Sequence, residues 1–506
     1  MKFTRRRFIH AVGAGVAGGY FNLPVFAQSS QLNLLKIPDL YTGQVNSGVH
    51  HYDLEMQTGE VHFLPGLSTS TMGINGNYLG PTLRFRNGDD VAMHVKSQLG
   101  EPTTLHWHGL HVPARSDGGP GQTIAAGSEW SPEFQIIQSG GTYWYHSHVL
   151  GKTGEQVLRG LAGLIIIEDS ESSGLELPSS YGVDDIPLIV QDRSFHEDGS
   201  FIYLGSHMDV MTGMHGDTIL VNGTVAPIFV PITSRVRFRL LNAANARTFN
   251  FAFDDNREFQ LIGGDGGLLN AGVRVRNLEL ASAERAEIIV NFSDRSPVNL
   301  ISRPIPAESP FVTQGMMRNM LPLSSSSIQL LAIEPQATLE QGVEVPSALA
   351  SIRRMNESEA TRTRHFMLSM PIGMGMMNMR GGQGRRGGMM NGMGGDFLIN
   401  GKPMDMMVIN ERINMGDTEI WEIFNDSMMT HPFHIHHGQF QILDRNGVPA
   451  PPEELVFKDT LRVGPGQTAR FIMHFERFSD PDTAYMYHCH ILEHEDNGMM
   501  GQFTVS

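Results

Sequence analysis

The stretch 488–499 reads His-Cys-His-Ile-Leu-Glu-His-Glu-Asp-Asn-Gly-Met and contains the only cysteine of the 506-residue chain. Side chains alternate between the two faces of a β-strand, so His488 and His490 share one face and Cys489 points to the other. Two imidazoles, a thiolate and a weak axial thioether are the ligands of a blue-copper electron-transfer site. The stretch therefore predicts two sites back to back, one at Cys489 and one at its neighbours. The further ligands available to the cysteine site are His431, His494 and Met499.

Three more windows of paired histidines occur, His-Trp-His at 106–108, His-Ser-His at 146–148 and His-Pro-Phe-His-Ile-His at 431–436. The same strand alternation puts the two histidines of an H-x-H pair on one face. If the first and last parts of the chain meet, four pairs converge and suit about three copper ions, with open positions left for dioxygen. Cys489 is bonded through the backbone to one of these pairs, which gives an electron a short route between the two sites. The eight imidazoles are those of His106, His108, His146, His148, His434, His436, His488 and His490.

The composition agrees with copper chemistry in a β-rich protein. The chain is 40% hydrophobic and 18% charged, with 56 Gly and 27 Pro, which favours short strands and turns over a helical bundle. A single cysteine excludes an internal disulfide, a zinc site made only of cysteines and a protein-held iron–sulfur cluster. Thioether and imidazole are copper ligands, and the chain has 30 Met and 22 His. The net charge of -16 disfavours a nucleic-acid surface or a basic membrane-binding patch.

A weak internal repeat divides the chain into three parts. Asn-Gly, followed by a proline and short β-like runs, occurs at 75–76, 222–223 and 400–401. A spacing of roughly 150–180 residues predicts triplication of a domain, not a solenoid. We therefore expect an all-β protein made of three antiparallel Greek-key β-sandwiches. The predicted domains span residues 30–175, 180–340 and 350–506.

Residues 1–27 have the pattern of an export signal. Thr4–Ile9 carries a twin-arginine pattern, a weakly apolar stretch follows as far as Tyr20, and Ala27 offers a small residue for cleavage. The apolar stretch is too short and too rich in glycine to span a membrane, and no other segment approaches a spanning length. We therefore expect a periplasmic protein that is exported by the twin-arginine route and has no membrane span.

The histidine and cysteine windows resemble those of the multicopper oxidase family, and the resemblance covers the whole mature chain. In that family three cupredoxin domains carry a type 1 copper in the last domain and a trinuclear cluster between the first and the last. The resemblance implies a copper-dependent oxidoreductase with dioxygen as acceptor and four bound copper ions. The implied ligands are His431, Cys489, His494 and Met499 for type 1, His106 and His434 for type 2, and for the type 3 pair His108, His146 and His488 on one ion and His148, His436 and His490 on the other.

Within the family, the chain is most similar to the periplasmic copper efflux oxidases, which oxidise Cu(I) and serve copper tolerance. The features that carry this resemblance are the twin-arginine signal, the stretch 488–500 and a methionine-rich insertion at 371–395. The resemblance also implies Asp117 and Glu495 as proton donors to reduced oxygen, a role that carboxyl groups suit. Asp117 lies in Ser-Asp-Gly-Gly-Pro, which is equally typical of a turn.

The expected substrate is Cu(I), because soft thioethers select that ion. Met370 precedes the insertion and Met429 lies two residues before His431, so both are candidate contacts to substrate copper, with Asp426 as a third. The efflux oxidases have an aspartate where this chain has Ser427. Two alternatives stay open, a laccase-like oxidase of phenols and aromatic amines and a non-enzymatic periplasmic copper-binding or scaffold protein. We expect a monomer whose partners are a reducing substrate and dioxygen.

Overall fold

The computed structural model describes residues 33–305, 326–370 and 397–506. Strands predominate in these ranges and the helices are short, so the predicted all-β fold class is confirmed. No helix among the described residues is long and apolar enough to cross a membrane. The predicted export signal and the methionine-rich insertion at 371–395 lie outside the described residues. The helices are α1 (Thr153–Arg159), α2 (Ser170–Ser173), α3 (His207–Thr212) and α4 (Leu492–Asp496), and the 3₁₀ turns are Ala114–Ser116, Pro120–Gln122, Glu357–Glu359 and Pro452–Glu454.

The first domain is a sandwich of two sheets in the part of the chain that the structure describes. Its strands are β1 (Leu40–Tyr41), β2 (Gln44–Asn46), β3 (Val49–Val61), β4 (Thr69–Ile74), β5 (Thr82–Arg86), β6 (Asp90–Ser97), β7 (Glu129–Trp130), β8 (Glu133–Gln135), β9 (Gly141–His146) and β10 (Ala162–Glu168). One sheet has the order β1-β5-β10-β9, and the other has the order β2-β3-β6-β7, with β4 on β3 and β8 on β6. The apolar run in β10 is buried on both faces. Ile165 and Ile167 pack in the core of the sandwich, whereas Leu164 and Ile166 pack against the second domain.

The second domain is also a sandwich. Its described strands are β11 (Asp185–Arg193), β12 (Thr218–Val221), β13 (Thr224–Val225), β14 (Ile228–Phe229), β15 (Arg235–Asn242), β16 (Phe249–Phe253), β17 (Phe259–Gly264), β18 (Gly267–Val275), β19 (Asn277–Leu280), β20 (Arg285–Asn291), β21 (Val298–Ser302) and β22 (Ile328–Ile333). They form sheets of order β13-β12-β11-β15-β20-β17-β18 and β14-β22-β21-β16-β19. The aromatic and aliphatic side chains that alternate along β15, β16 and β20 meet between these sheets.

The third domain repeats this architecture. Its described strands are β23 (Arg362–Ser369), β24 (Leu398–Ile399), β25 (Glu411–Ile413), β26 (Thr418–Asp426), β27 (His431–Ile435), β28 (Phe440–Arg445), β29 (Val448–Pro449), β30 (Phe457–Lys458), β31 (Thr460–Val463), β32 (Thr468–His474), β33 (Asp480–Cys489) and β34 (Met500–Val505). The sheets have the orders β24-β23-β26-β32-β28-β29, with β30 on β28, and β25-β34-β33-β27-β31. In the second sheet β27 is antiparallel to β33, with His434 opposite His488. The two histidine windows of this domain therefore lie side by side.

The sheets agree with a division of the chain into three. Every strand of a given sheet falls within one of the ranges 30–175, 180–340 and 350–506. The boundaries themselves stay a prediction.

Trp421 on β26 is the central aromatic residue of the third domain. Its ring is fully buried, and the ring centroid lies 4.5 Å from that of Phe366 and 5.6 Å from that of Tyr487. Its Nε1 donates a 3.0 Å hydrogen bond to Glu419. We expect Trp421→Ala to lower the free energy of unfolding by about 3–5 kcal/mol, because the cavity would be large. Urea unfolding of the copper-free protein measures this change. Phe424→Ala on the same strand is the control, since Phe424 is exposed, and an equal loss in both variants would contradict the packing argument.

Candidate metal centres

Histidines of the four windows converge where the first domain meets the third, and all eight imidazoles selected above are buried. The ring of His106 stacks on His436 with the centroids 3.9 Å apart, and that of His108 stacks on His434 at 3.7 Å. Within the first domain, an antiparallel bridge pairs His106 with His146 at the end of β9. The structure thus interleaves histidine pairs from opposite ends of the chain.

Three imidazoles point their Nε2 atoms at one another. The Nε2 atoms of His148, His436 and His488 are separated by 3.2 to 3.3 Å. Their Nδ1 atoms face carboxylates: that of His436 lies 2.6 Å from Asp117, and those of His148 and His488 each lie 3.1 Å from Glu495. An imidazole that donates from Nδ1 presents the lone pair of Nε2, so these three can bind one metal ion.

A second group consists of His108, His146 and His490. The Nδ1 of His108 lies 3.3 Å from the Nε2 of His146. The ring centroid of His490 is 5.0 Å from that of His108 and 5.3 Å from that of His146. Among the residues that the structure describes, neither ring nitrogen of His490 has a hydrogen-bond partner, although both are buried. This group offers three nitrogens to a second metal ion.

The expected type 3 ligands grouped His488 with His108 and His146, and His490 with His148 and His436. In the structure these two histidines change places: His488 lies with His148 and His436, and His490 lies with His108 and His146. The cause is the register of β27 against β33, which places His488 opposite His434, while the backbone N–H of His436 bonds to Met486. Alternation along the strand predicts that His488 and His490 share one face, but it does not predict which of the two lies nearer to His146 and which lies nearer to His148.

His106 and His434 share a third pattern. The Nδ1 of each donates a 2.8 Å hydrogen bond to a backbone carbonyl, that of Asp117 and that of Asp459 respectively. The Nε2 of each is buried and has no partner in the described residues. Both Nε2 lone pairs are therefore free for a further ion.

Burial sets the protonation state of three histidines of this cluster. Desolvation lowers the pKa of His106, His434 and His490 well below the usual value for histidine, with further lowering from neighbouring imidazoles. These side chains are therefore neutral, which is the form of imidazole that binds metals. A buried polar atom without a partner costs about 1–3 kcal/mol, and a bound cation would satisfy these nitrogens. The donor set of neutral imidazoles fits copper.

Cys489 lies in a separate donor group on the other side of β33. Its Sγ is 3.3 Å from the Nδ1 of His431 and 3.7 Å from that of His494. Met499 is fully buried, and its backbone carbonyl accepts a 3.0 Å hydrogen bond from the N–H of Cys489. The outer nitrogens are also held, because the Nε2 of His431 lies 2.8 Å from Ser427 and that of His494 lies 3.2 Å from a backbone carbonyl of α3.

The cysteine would be a thiol without a metal. Burial raises the pKa of Cys489 far above its usual value, because desolvation disfavours the thiolate, and the carboxylates of Glu495 and Glu493 add to the effect. Two neutral imidazoles and one thiol that ionises on metal binding fit a soft copper ion. The two donor groups therefore share one strand and use its opposite faces.

Models of the multicopper oxidase family match residues 55–172, 196–301 and 375–506. The multicopper oxidase mco of Staphylococcus haemolyticus is 34% identical over 465 residues, which cover 91% of this chain and 90% of that protein. This chain belongs to the multicopper oxidase family. The cell division protein FtsP of Dickeya dadantii is 32% identical over 509 residues, covering 100% of this chain and 99% of that one.

Solved structures agree with this multicopper oxidase assignment. The laccase-like multicopper oxidase CueO of an Ochrobactrum species is 35% identical, with a TM-score of 0.82 over 93% of this chain and 100% of that one. That protein is described as having oxidase activity towards lignin model compounds and lignosulfonate. The three sandwiches of the present oxidase are therefore cupredoxin-like domains, and the predicted enzyme class, a copper-dependent oxidase that uses dioxygen, is confirmed.

Asp117 of this oxidase lies at the cluster and is 2% exposed. Its Oδ2 accepts the 2.6 Å hydrogen bond from the Nδ1 of His436, and its backbone carbonyl accepts the bond from His106. Burial raises the pKa of the carboxyl, against an opposing effect of the nearby imidazoles. The turn interpretation also holds, because Gly118 follows with φ +81° and a Cβ there would lie 1.9 Å from the backbone oxygen of Leu105.

Glu495 lies on α4 and bridges two cluster imidazoles. Its oxygens are each 3.1 Å from a ring nitrogen, one of His148 and one of His488. Burial raises the pKa of this carboxyl, but the two imidazoles outweigh that effect and bring the pKa well below its usual value. Glu495 is therefore an anion that holds both rings by their outer nitrogens.

Two contacts were not found from the sequence. Asp459 lies just before β31, and its Oδ1 is 3.1 Å from the Nε2 of His108. Met211 on α3 contributes the backbone carbonyl that faces His494. A backbone contact leaves no signal in a side-chain pattern, and Lys-Asp-Thr at 458–460 does not differ from an ordinary strand end.

The candidate substrate residues lie near the outer edge of the cysteine site. In the parallel pairing of β23 with β26, Ser369 lies opposite Asp426, and Met370 follows directly after β23. The Ser427 hydroxyl lies 2.8 Å from the Nε2 of His431 and 3.0 Å from the carbonyl oxygen of Met429. Met370 is buried and Met429 is partly buried against the third-domain core, whereas Asp426 is exposed.

Proposed function

We propose that this multicopper oxidase is a cuprous oxidase, which oxidises Cu(I) and reduces dioxygen to water with four bound copper ions. Two of the proposed donor groups, His431 with Cys489 and His494, and His148 with His436 and His488, have all their ligand atoms within 4.8 Å of one another. The other two rest on the contacts of His108 with His146 and His490 and on the partnerless Nε2 atoms of His106 and His434. The proposed ligands are His431, Cys489, His494 and Met499 for type 1, His106 and His434 for type 2, His108, His146 and His490 for one type 3 ion, and His148, His436 and His488 for the other.

When bound, the copper ions supply one-electron oxidation of the substrate at the type 1 site and four-electron reduction of dioxygen at the cluster. The chain connects the two sites through Cys489. Its side chain faces His431 and His494, and its backbone continues directly into His488 and His490, which face the cluster. This bonded path is the proposed electron route.

The chain also supplies protons. Reduction of dioxygen to water consumes four protons, and the cluster is closed to bulk water because its histidines are buried. Asp117, whose pKa is raised by burial, is the proposed donor on one side, and Glu495 the proposed relay on the other. Both carboxyls already touch ring nitrogens of the cluster.

The observation that supports Cu(I) as substrate is that the chain brings two methionines to the neighbourhood of His431. Ser427, whose hydroxyl contacts the Nε2 of that histidine, also contacts the backbone carbonyl of Met429, and Met370 follows β23, whose last residue pairs with Asp426. Thioethers are soft ligands and bind Cu(I) in preference to hard cations. Cu(I) held there would lie next to the imidazole through which its electron enters, with Asp426 as a candidate third contact.

Replacing both thioethers tests the substrate. We expect Met370→Leu together with Met429→Leu to raise KM for Cu(I) about 10- to 100-fold, because leucine keeps the volume but loses the soft ligand. The phenol KM should stay unchanged, since a phenol does not need the sulfur atoms. Steady-state oxygen uptake with each substrate measures both constants. Met407→Leu is the control, because Met407 is 90% exposed. Equal changes for Cu(I) and the phenol would contradict a copper site there.

The chain is also similar to proteins named for cell division, so a non-enzymatic scaffold role is an alternative function. The complete donor groups favour an oxidase over a scaffold, because a scaffold has no need of buried imidazoles without partners. A laccase-like oxidase is the remaining alternative. If the native protein turns over a phenol faster than Cu(I), the laccase-like function is favoured over the cuprous oxidase.

We place the oxidase in the periplasm, exported by the twin-arginine route, on the pattern at Thr4–Ile9. A role in copper tolerance follows if the substrate is Cu(I), because oxidation removes the ion that thiols bind most readily.

A further inference from the structure

A buried carboxylate joins all three domains at the copper cluster. Asp459 of the third domain is fully buried, and its Oδ1 lies 3.1 Å from the Nε2 of His108 in the first domain. Arg285 of the second domain donates from Nη1 to the same oxygen at 2.7 Å and from Nη2 to Oδ2. The second domain supplies none of the proposed copper ligands, yet its arginine lies one carboxylate away from the cluster.

His108 is held differently from six of the seven other cluster histidines. His106, His146, His148, His434, His436 and His488 all contact a protein oxygen through Nδ1, which leaves Nε2 to face the cluster. His108 contacts Asp459 through Nε2, which leaves Nδ1 to face His146. Asp459 also orients the ring of His434, because the backbone carbonyl of Asp459 accepts a 2.8 Å hydrogen bond from the Nδ1 of that histidine.

The side chain of Arg285 is held beside this carboxylate by its other hydrogen bonds. It is fully buried, and its remaining donors bond to backbone carbonyls of Thr142, Ala283 and Asp265 at 2.9 to 3.2 Å. The two terminal nitrogens of the guanidinium each donate to one oxygen of Asp459, so both oxygens are fixed in place beside His108.

We propose that Asp459, fixed through both oxygens by Arg285 of the second domain, is the positioning residue that holds the Nε2 of His108, turns its Nδ1 towards the cluster and so completes one type 3 copper site. The second domain thereby contributes to assembly of the cluster without contributing a ligand. The proposal rests on the ligand groups given under Proposed function.

The test compares a single and a double variant. Asp459→Asn removes the nearer carboxylate of Arg285 and leaves that buried arginine with the carboxylate of Asp265 at 3.5 Å, and such a loss by itself destabilises a protein. Asp459→Asn with Arg285→Met removes the whole ion pair, and such replacements are often neutral for folding. Both variants keep the backbone carbonyl that bonds to His434.

The readouts are copper per chain and the share of copper visible by electron paramagnetic resonance. In the native protein about half of the copper should be visible, because a coupled type 3 pair is silent. We expect both variants to lose about one copper ion per chain. Nearly all of the remaining copper should then be visible by electron paramagnetic resonance, because the type 3 pair is broken, and the blue type 1 band should be unchanged. Full copper loading with the native spectrum in the double variant would show that the pair only balances charge and would overturn the proposal.

The control is a buried ion pair away from the histidines. Asp185→Asn with Arg239→Met removes the 2.7 Å pair between β11 and β15 and should leave the copper content and spectrum native. A copper-loaded structure of the native protein with His108 bound through Nε2 would also overturn the proposal, whatever the stability of the variants. Native protein without coupled copper would instead refute the proposed ligand groups, so the two failures are distinguishable.

Discussion

Cys489→Ser is expected to remove the blue colour of the copper-loaded protein and all of its oxidase turnover. The sulfur atom is the single donor between His431 and His494 that can form a copper–thiolate bond, and its residue carries the proposed path to both cluster histidines of β33. Serine keeps the size of the side chain but is a hard, weakly acidic donor. Absorption at about 600 nm, where a copper–thiolate transition is expected, and oxygen uptake measure the two losses.

The fold of this variant should stay intact, because serine fits the space of the buried cysteine. Copper at the cluster should remain, and it can be counted by elemental analysis. Met500→Leu is a matched control, since Met500 is buried on the adjacent strand β34 and pairs with His488 in the ladder. A Cys489→Ser protein that still oxidises substrate would refute the electron route.

Replacing the two cluster carboxyls is expected to slow turnover without slowing entry of electrons. Asp117→Asn combined with Glu495→Gln should lower kcat about 10²–10⁴-fold, the usual contribution of positioned acid–base groups. Amides of the same shape can still contact the rings of His436 and His148 but cannot deliver protons. The measurement is oxygen uptake at saturating substrate together with anaerobic bleaching of the blue band.

Bleaching should keep its native rate, because the type 1 donors are untouched. Asp482→Asn is the control: Asp482 is exposed on β33, the strand that also carries His488. If the double variant keeps native kcat, protons reach the cluster by another route. If bleaching slows as much as turnover, the carboxyls act on electron entry instead.

Strand alternation was sufficient to predict which histidines converge but not how they group. His488 and His490 were expected on one face with Cys489 on the other, and the structure places them so. Their assignment to separate triads depends on the register between β27 and β33, which is set by backbone hydrogen bonds formed far apart in sequence. A pattern within one strand contains no information on that register.

The supporting contacts were harder to predict because they come from tertiary packing. Asp459 and Arg285 are 174 residues apart, and only the folded domains bring them to His108. Ser427 was noted as a departure from the expected aspartate, and the structure shows that it still contacts His431, as a neutral hydroxyl. The fold class was easier, since short apolar runs separated by Gly and Pro already indicate a sandwich.

The most direct test of the cuprous oxidase proposal is oxygen uptake by one copper-loaded sample given Cu(I) or a phenol. We predict about four Cu(I) ions oxidised per dioxygen, as the four-electron reduction to water requires, and a kcat/KM for Cu(I) at least about 10-fold above that for the phenol. A phenol oxidised more efficiently than Cu(I), with Cu(I) consumed no faster than by the Cys489→Ser protein, would contradict the proposal.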